Sequence, residues 1–168
     1  MTPQRKTISL FLYIPERKVI VLGVRADGQS HAGMLQATAH GTIEEGEDHL
    51  QAIERELKEE TKLDIVDIGP IQFLGELDGG HKVHEDCSYY VAAISEANAE
   101  KLLSTDEVSH FTHINKDGID DVISFDEAEA KGLDPKVHRV MFQDELDALR
   151  ELHGLLEEHR WNPIAVNA

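Results

Sequence analysis

Between Gly41 and Leu63 the chain reads GTIEEGEDHLQAIERELKEETKL, a strongly acidic stretch with helical spacing from Glu47 to Thr61, which is expected to form a loop, a helix and a loop. At about 100° per residue, Leu50, Ile53 and Leu57 fall on one narrow face, and Glu56, Glu59 and Glu60 occupy an arc of about 100° beside it. Such a helix buries one edge and displays three carboxylates from the next. Like charges at i, i+3 and i+4 oppose the helix by roughly 0.2 to 0.5 kcal/mol per pair, and by more where they are partly buried. A compensating cation is therefore expected. Oxygen donors from carboxylates suit Mg²⁺, with Mn²⁺ as a substitute, because these hard ions keep several waters and accept phosphate oxygens in their remaining positions. Arg55 lies one turn before Glu59 and can pair with it. Taken alone, a Glu-rich amphipathic helix is an ordinary solvated face and Arg55 an ordinary surface pair, so the wider pattern has to decide.

The charge balance sets what can be bound. Lys and Arg total 16 against 33 Asp and Glu, a formal net charge of −17, which repels a nucleic-acid backbone. A small phosphorylated ligand meets the same repulsion, so binding it requires a metal ion or a few well-placed basic side chains. The 168 residues suit a single domain spanning 1–168. Cys87 is the sole cysteine, which excludes an intramolecular disulfide. With no apolar signal segment at Met1 to Leu10, a reducing cytoplasm is expected. No apolar run reaches membrane-spanning length.

Around the acidic segment, Thr7 to Ile14 and Lys18 to Arg25 are rich in β-branched and apolar residues and are separated by Pro15-Glu16-Arg17, which predicts a β-hairpin. A loop from Asp27 to Gly33 and a short apolar stretch, Leu35 to Ala39, come next. Ile65 to Leu77 reads as a strand with a bend at Gly69-Pro70. It pairs with Cys87 to Ile94 as a second hairpin whose tip carries His81, Lys82 and His84. Val108 to Ile114 adds a strand. Ser124 and Glu127 stand at capping spacing before a short helix that Gly132 ends, and Asp134-Pro135 supplies the start of a long terminal helix. The stripe Val137, Met141, Leu146, Leu149, Leu152, Leu155 and Leu156 on that helix is core or a dimer contact, so a homodimer stays open. The class is α+β, with helices packed on a mixed, partly antiparallel sheet.

Gly41, Glu47 and the run Arg55-Glu56-Leu57-Lys58-Glu59-Glu60-Thr61-Lys62-Leu63 resemble the Nudix box, G-x5-E-x7-R-E-U-x-E-E-x-G-U, in which U is a bulky apolar residue. One specified position departs, Lys62 for glycine. At ordinary residue frequencies of roughly 5 to 10% per position, such a match arises by accident in about one chain in 10⁵. The resemblance implies a Nudix-like α/β/α sandwich with a long C-terminal helix, and Mg²⁺-dependent hydrolysis of a diphosphate linkage in a small nucleoside-diphosphate-type substrate. It also implies site roles. Glu56, Arg55 and Glu59 are the catalytic candidates, and Glu56, Glu59 and Glu60 the metal-ligand candidates. Gly41 and Glu47 are structural, with Glu47 holding Arg55. Lys62 occupies a position where glycine adopts positive φ easily, and a helix running one residue further avoids the cost.

Outside the box, Arg25 ends the second strand where the family often has a basic residue meeting substrate phosphate. His40 lies where the family offers a backbone carbonyl. A downstream carboxylate is commonly recruited, with Glu107 first, then Asp106, Glu85 and Asp86. Two other functions fit less well. An isopentenyl-diphosphate-isomerase-like enzyme requires a cysteine upstream of the box, whereas Cys87 is downstream. A non-catalytic ligand-binding Nudix domain commonly loses box acids, and this chain keeps them all.

Overall fold

The structure is a computed structural model describing residues 5–78 and 85–158. His81, Lys82 and His84 lie outside the described residues. The centre of the molecule is β1 (Arg5–Ile14), an apolar run buried on both faces, as a strand covered on both sides must be. Its first half pairs antiparallel with β4 (Ala39–Thr42) and its second half with β2 (Val19–Arg25), while its other edge pairs in parallel with β6 (Glu85–Ala93). β2 carries β3 (Leu35–Gln36) and β7 (Val108–Ile114), and β5 (Gln72–Asp78) closes the far edge beside β6. A seven-stranded mixed sheet results. Between β3 and β4 the Thr38 hydroxyl donates to the Val21 carbonyl (2.6 Å) and accepts from the Leu12 amide (2.9 Å), so these two main-chain groups are paired across the break.

Side chains alternate across β1. Ile8, Leu10, Leu12 and Ile14 join Ala52, Ile53 and Leu57 of α1 (His49–Thr61) in one core. Phe11 and Tyr13 join Leu146, Leu149 and Leu152 of α5 (Gln143–Glu157) in the other. Helices thus cover both faces of the sheet, as expected from the sequence. Among the described residues, three short helices, α2 (Glu96–Ala99), α3 (Lys116–Asp120) and α4 (Phe125–Lys131), and a parallel pair, β8 (Ile123–Ser124) with β9 (Val140–Met141), complete the fold. α4 has the expected caps, Ser124 accepting from the Glu127 amide and Gly132 left-handed. Among the described residues, no helix is long and apolar enough to cross a membrane.

Four expectations are corrected. Gly41 lies in strand β4 rather than in a loop ahead of the helix. The stretch from Ile65 begins as a single 3₁₀ turn, Ile65–Asp67, and the strand starts only at Gln72. The last helix begins at Gln143, not at Asp134-Pro135, because Asp134 closes one turn by accepting from the Lys136 amide on its side chain and from the His138 amide on its carbonyl (both 2.9 Å). The chain then extends so that β9 can pair with β8. Val137 is accordingly 76% exposed and leaves the expected stripe, whereas Leu146, Leu149 and Leu152 are core residues, one of the two roles expected for it. On α1, Leu50 is 57% exposed, and the buried edge is instead Ala52, Ile53, Glu56, Leu57, Glu60 and Thr61.

α1 starts at a capping box, with Asp48 accepting from the Gln51 amide and Gln51 returning to the Asp48 amide. It stops at Thr61. Lys62 does not prolong the helix but takes a left-handed conformation, φ 65°, donating its amide to the Lys58 carbonyl at 3.1 Å. A non-glycine residue there costs about 1 kcal/mol. Lys62→Gly is therefore expected to raise Tm by about 2 to 4 °C in a thermal melt; an unchanged or lower Tm contradicts a strained helix end.

Candidate active site

The helix edge that enters the core carries two carboxylates with it, so the site starts from a packing problem. Glu56 and Glu60 are 7% and 4% exposed. Burial pushes the Glu56 carboxyl above its ordinary range, against the pull of Arg55 and with help from the charges of Glu59 and Glu107. Glu60 is pushed up to about 9, again mainly by burial and then by the charges of Glu56, Glu107 and Glu145. Its Oε2 accepts from the Gln36 side-chain amide (3.3 Å) and weakly from the His40 main-chain amide (3.4 Å).

Arg55 organises the rim. Its Nε and Nη2 donate to the two oxygens of Glu47 at 2.8 and 2.9 Å, a bidentate pair. Nη2 also donates to the Thr42 carbonyl (2.8 Å), and Nη1 to Glu56 Oε1 (2.6 Å) and Glu59 Oε2 (3.3 Å). The Arg55 hydrogen bond, followed by one from the Glu44 amide, lowers Glu47 to about 2. Glu47 is thus a permanent anion that anchors the guanidinium. Gly41 fits the same geometry from the other side: a Cβ there would stand 1.9 Å from Glu56 Oε1, so the glycine makes room for the buried carboxylate.

The structure brings Glu56, Glu60 and Glu107 within electrostatic reach of one another. Glu107 stands in the loop before β7, its carbonyl accepting from the Ala26 amide at 2.9 Å. Glu59 is different. Its side chain is 59% exposed and lies on the solvent side of Arg55. Among the described residues, no group of three or more His, Cys, Asp or Glu forms a ready-made metal cluster. The donor chemistry nonetheless fits a hard divalent ion, since the converging groups are carboxylates and Arg55 is already engaged.

The other candidates fall as follows. Arg25 donates to the Ser30 carbonyl (2.7 Å), the Ser30 hydroxyl (3.3 Å) and Gln36 Oε1 (3.0 Å), holding the loop that follows β2. His40 pairs its Nδ1 with the Ser9 hydroxyl at 2.6 Å. Asp106 is exposed beside Glu107, and Asp86 and Glu85 belong to β6, in register with Lys6 and Arg5. Cys87 is buried with its thiol pushed up to about 11 by desolvation, which suits an inert strand residue.

Two polar residues escaped the sequence reading. Gln36 is 5% exposed and joins Arg25 to Glu60. The signal was a long polar side chain inside the otherwise largely apolar run Met34 to Ala39. Glu145, in the first turn of α5, is buried and accepts the Ala37 amide at 2.8 Å, fixing the break between β3 and β4. Nothing local marks it among the many acids of the chain.

A family model described as NUDIX domain matches residues 3–144. No curated protein sequence matches the chain. Several solved structures share its fold. A Caenorhabditis elegans Ap4A hydrolase binary complex is 13% identical with TM-score 0.63, over 90% of this chain and 98% of that one. A Nudix hydrolase from Nitrosomonas europaea is 15% identical with TM-score 0.58, over 91% and 90%. The DR0079 protein of Deinococcus radiodurans is 13% identical with TM-score 0.63, over 87% and 82%. At these identities the likeness is one of fold.

The burial of Glu60 has a pH consequence. Its carboxyl titrates near 4.5 when unfolded but near 9 in the fold, so the native state retains a proton that the unfolded state gives up. The contribution of Glu60 is thus most favourable below pH 4.5 and falls progressively as pH rises to about 9. In metal-free protein, thermal melts across this range should show Glu60→Gln gaining on wild type as pH rises. A constant difference between the two would contradict the burial of an ionisable group here.

Proposed function

The chain belongs to the Nudix family, and we propose that it is a hydrolase that uses Mg²⁺, or Mn²⁺ in its place, to break the diphosphate linkage of a small nucleoside-diphosphate-type molecule. Both helical layers and the sheet act as one domain in this reading. The observation that carries it is that Glu56 and Glu60 sit on the buried edge of α1 within electrostatic reach of Glu107, with Gly41 leaving room for Glu56 and Arg55 clamped on Glu47. Glu56 has Arg55 as a partner, but Glu60 is buried with amide donors beside the charges of Glu56 and Glu107, and burying such a group lowers stability unless it keeps a proton or a cation joins it, so stability alone gives no reason for its place. The fold shared with an Ap4A hydrolase and a Nudix hydrolase is in keeping with this chemistry.

Glu56, Glu60 and Glu107 would hold the ion, with Glu59 reaching it from the rim. When bound, the ion supplies positive charge for phosphate oxygens and for a nucleophilic water. The residues of the chain then divide the work. Glu56 accepts a proton as the water oxygen bonds to phosphorus and the bridging P–O bond breaks, the departing phosphate taking the bonding pair. Burial raises its proton affinity, while the Arg55 contact fixes the direction of its carboxylate. Gln36 and the His40 amide orient Glu60.

The test is a Mg²⁺-dependent phosphate-release screen over nucleoside diphosphate sugars, nucleoside triphosphates and dinucleoside polyphosphates, with and without added phosphatase. Against whichever compound is turned over, Glu56→Gln should lower kcat by about 10² to 10⁴ with a much smaller change in KM. Lys62→Gly should leave kcat near wild type. If Glu56→Gln retains near-normal kcat at saturating Mg²⁺, the proton goes elsewhere and Glu107 is the residue to replace. If no compound is hydrolysed, the hydrolase reading is wrong.

A further inference from the structure

A chain with net charge −17 gathers cationic side chains in one place next to its acids. A cavity of about 370 Å³ opens where β2 and β7 meet the loop after β2 and the turn that follows α4. Arg25, Lys136, Arg139, His110 and His138 line it, and Asp27 is the only acid among its lining residues.

The turn is held over the sheet by two contacts. Gly33, at φ 85°, lets the chain pass: a Cβ there would lie 2.8 Å from Lys136 Cγ and 3.2 Å from its main-chain nitrogen. His31 meets Phe125 and Phe142 edge-on, at 5.1 and 4.9 Å between ring centres, and ties the same loop to α4 and the residue before α5. Arg25 has its donors engaged with Ser30 and Gln36 and shapes the wall. The cations at the mouth are less committed. Lys136 pairs with Asp27 at 2.9 Å, but both are largely exposed, and such pairs contribute little. The side chains of Arg139 and His138 make no hydrogen bond or ion pair among the described residues.

The cavity is linked to the acid cluster through Gln36. Gln36 contacts Arg25 on one side and Glu60 on the other. Glu107 precedes by two residues Ser109, which together with His110 lines the cavity. The volume suits part of a small ligand. A guanidinium and an ammonium beside imidazoles match phosphate oxygens. No Phe, Tyr or Trp lines it, so a nucleobase finds none of the broad aromatic platforms it stacks on.

We propose that this cavity is a phosphate subsite that takes a phosphate-bearing group beyond the linkage attacked at the acid cluster, with Lys136 and Arg139 as its main contacts. The placement on the substrate rests on the hydrolase reading; anion binding itself does not. The substrate class that follows is one with further phosphate outside the scissile diphosphate, rather than one ending in a neutral sugar or a bare nucleoside.

The experiment is calorimetric titration of the full chain with inorganic pyrophosphate in excess EDTA, which removes any metal contribution, alongside adenosine as an uncharged nucleoside. Wild type should bind pyrophosphate, and the double variant Lys136→Ala/Arg139→Ala should bind it about tenfold or more weakly, with Arg139→Glu weaker than Arg139→Ala. All three substitutions are at exposed positions, and unchanged Tm verifies that folding is intact. No pyrophosphate binding by wild type, equal binding by the double variant, or adenosine bound as tightly as pyrophosphate overturns the subsite. Pyrophosphate binding that depends on these residues in a protein that hydrolyses nothing retains the subsite and removes the hydrolase reading alone.

Discussion

α1 can pack against β1 only by taking Glu56 and Glu60 out of water along with Ala52, Ile53 and Leu57, and much of the local architecture answers that one constraint. An isolated carboxylate in an apolar site costs several kcal/mol as an anion unless it is paired or takes up a proton. The two acids meet the constraint differently. Glu56 remains beside a guanidinium that is itself held by the strongly acidic Glu47, whereas Glu60 has only amide donors and keeps its proton far above the usual range. Strand β4 is part of the same solution. Its Gly41 presents bare backbone to the Glu56 carboxyl, and its His40 amide faces Glu60.

The acidic helix and the family it marks were legible because the spacing of Gly41, Glu47, Arg55, Glu56, Glu59 and Glu60 is a local property of the chain. Which edge of that helix is buried was not. Periodicity gives relative angles around an axis, and both Leu50 and Glu60 fit an amphipathic pattern. Only the strands beneath decide that Leu50 faces solvent and Glu60 faces Gln36. The same reason hid the start of α5: Asp134-Pro135 is a sound initiation signal, but the pairing of β9 with β8 claims the residues after it. Glu145 and the turn bearing Lys136 and Arg139 come to this region from about a hundred residues beyond β2 and β3, and no local pattern records that approach.

Acids and cations are segregated in this molecule around a single point, the end of β2. On one side the carboxylates ask for a metal ion, and on the other Lys136 and Arg139 offer charge to an anion despite the strongly acidic chain. Arg25 and Gln36 connect the two without serving either as a free group. A phosphorylated molecule spanning both would be gripped at one phosphate and cleaved at another. Orientation of that kind lowers the entropic part of a barrier. It also means that the scaffold residues between the two halves, rather than the acids alone, set which linkage is presented.

The central claim, that a divalent ion joins an acid cluster whose deepest member holds a proton, is tested most directly by counting the protons released when Mg²⁺ binds. The count comes from calorimetric titrations near neutral pH in buffers of different ionisation enthalpy. Because burial pushes Glu60 up to about 9, its carboxyl is largely protonated there and must ionise to become a ligand. Wild type is expected to release about one proton per Mg²⁺, and Glu60→Gln markedly less. Mg²⁺ binding with no proton release, or no Mg²⁺ binding at all, would contradict it.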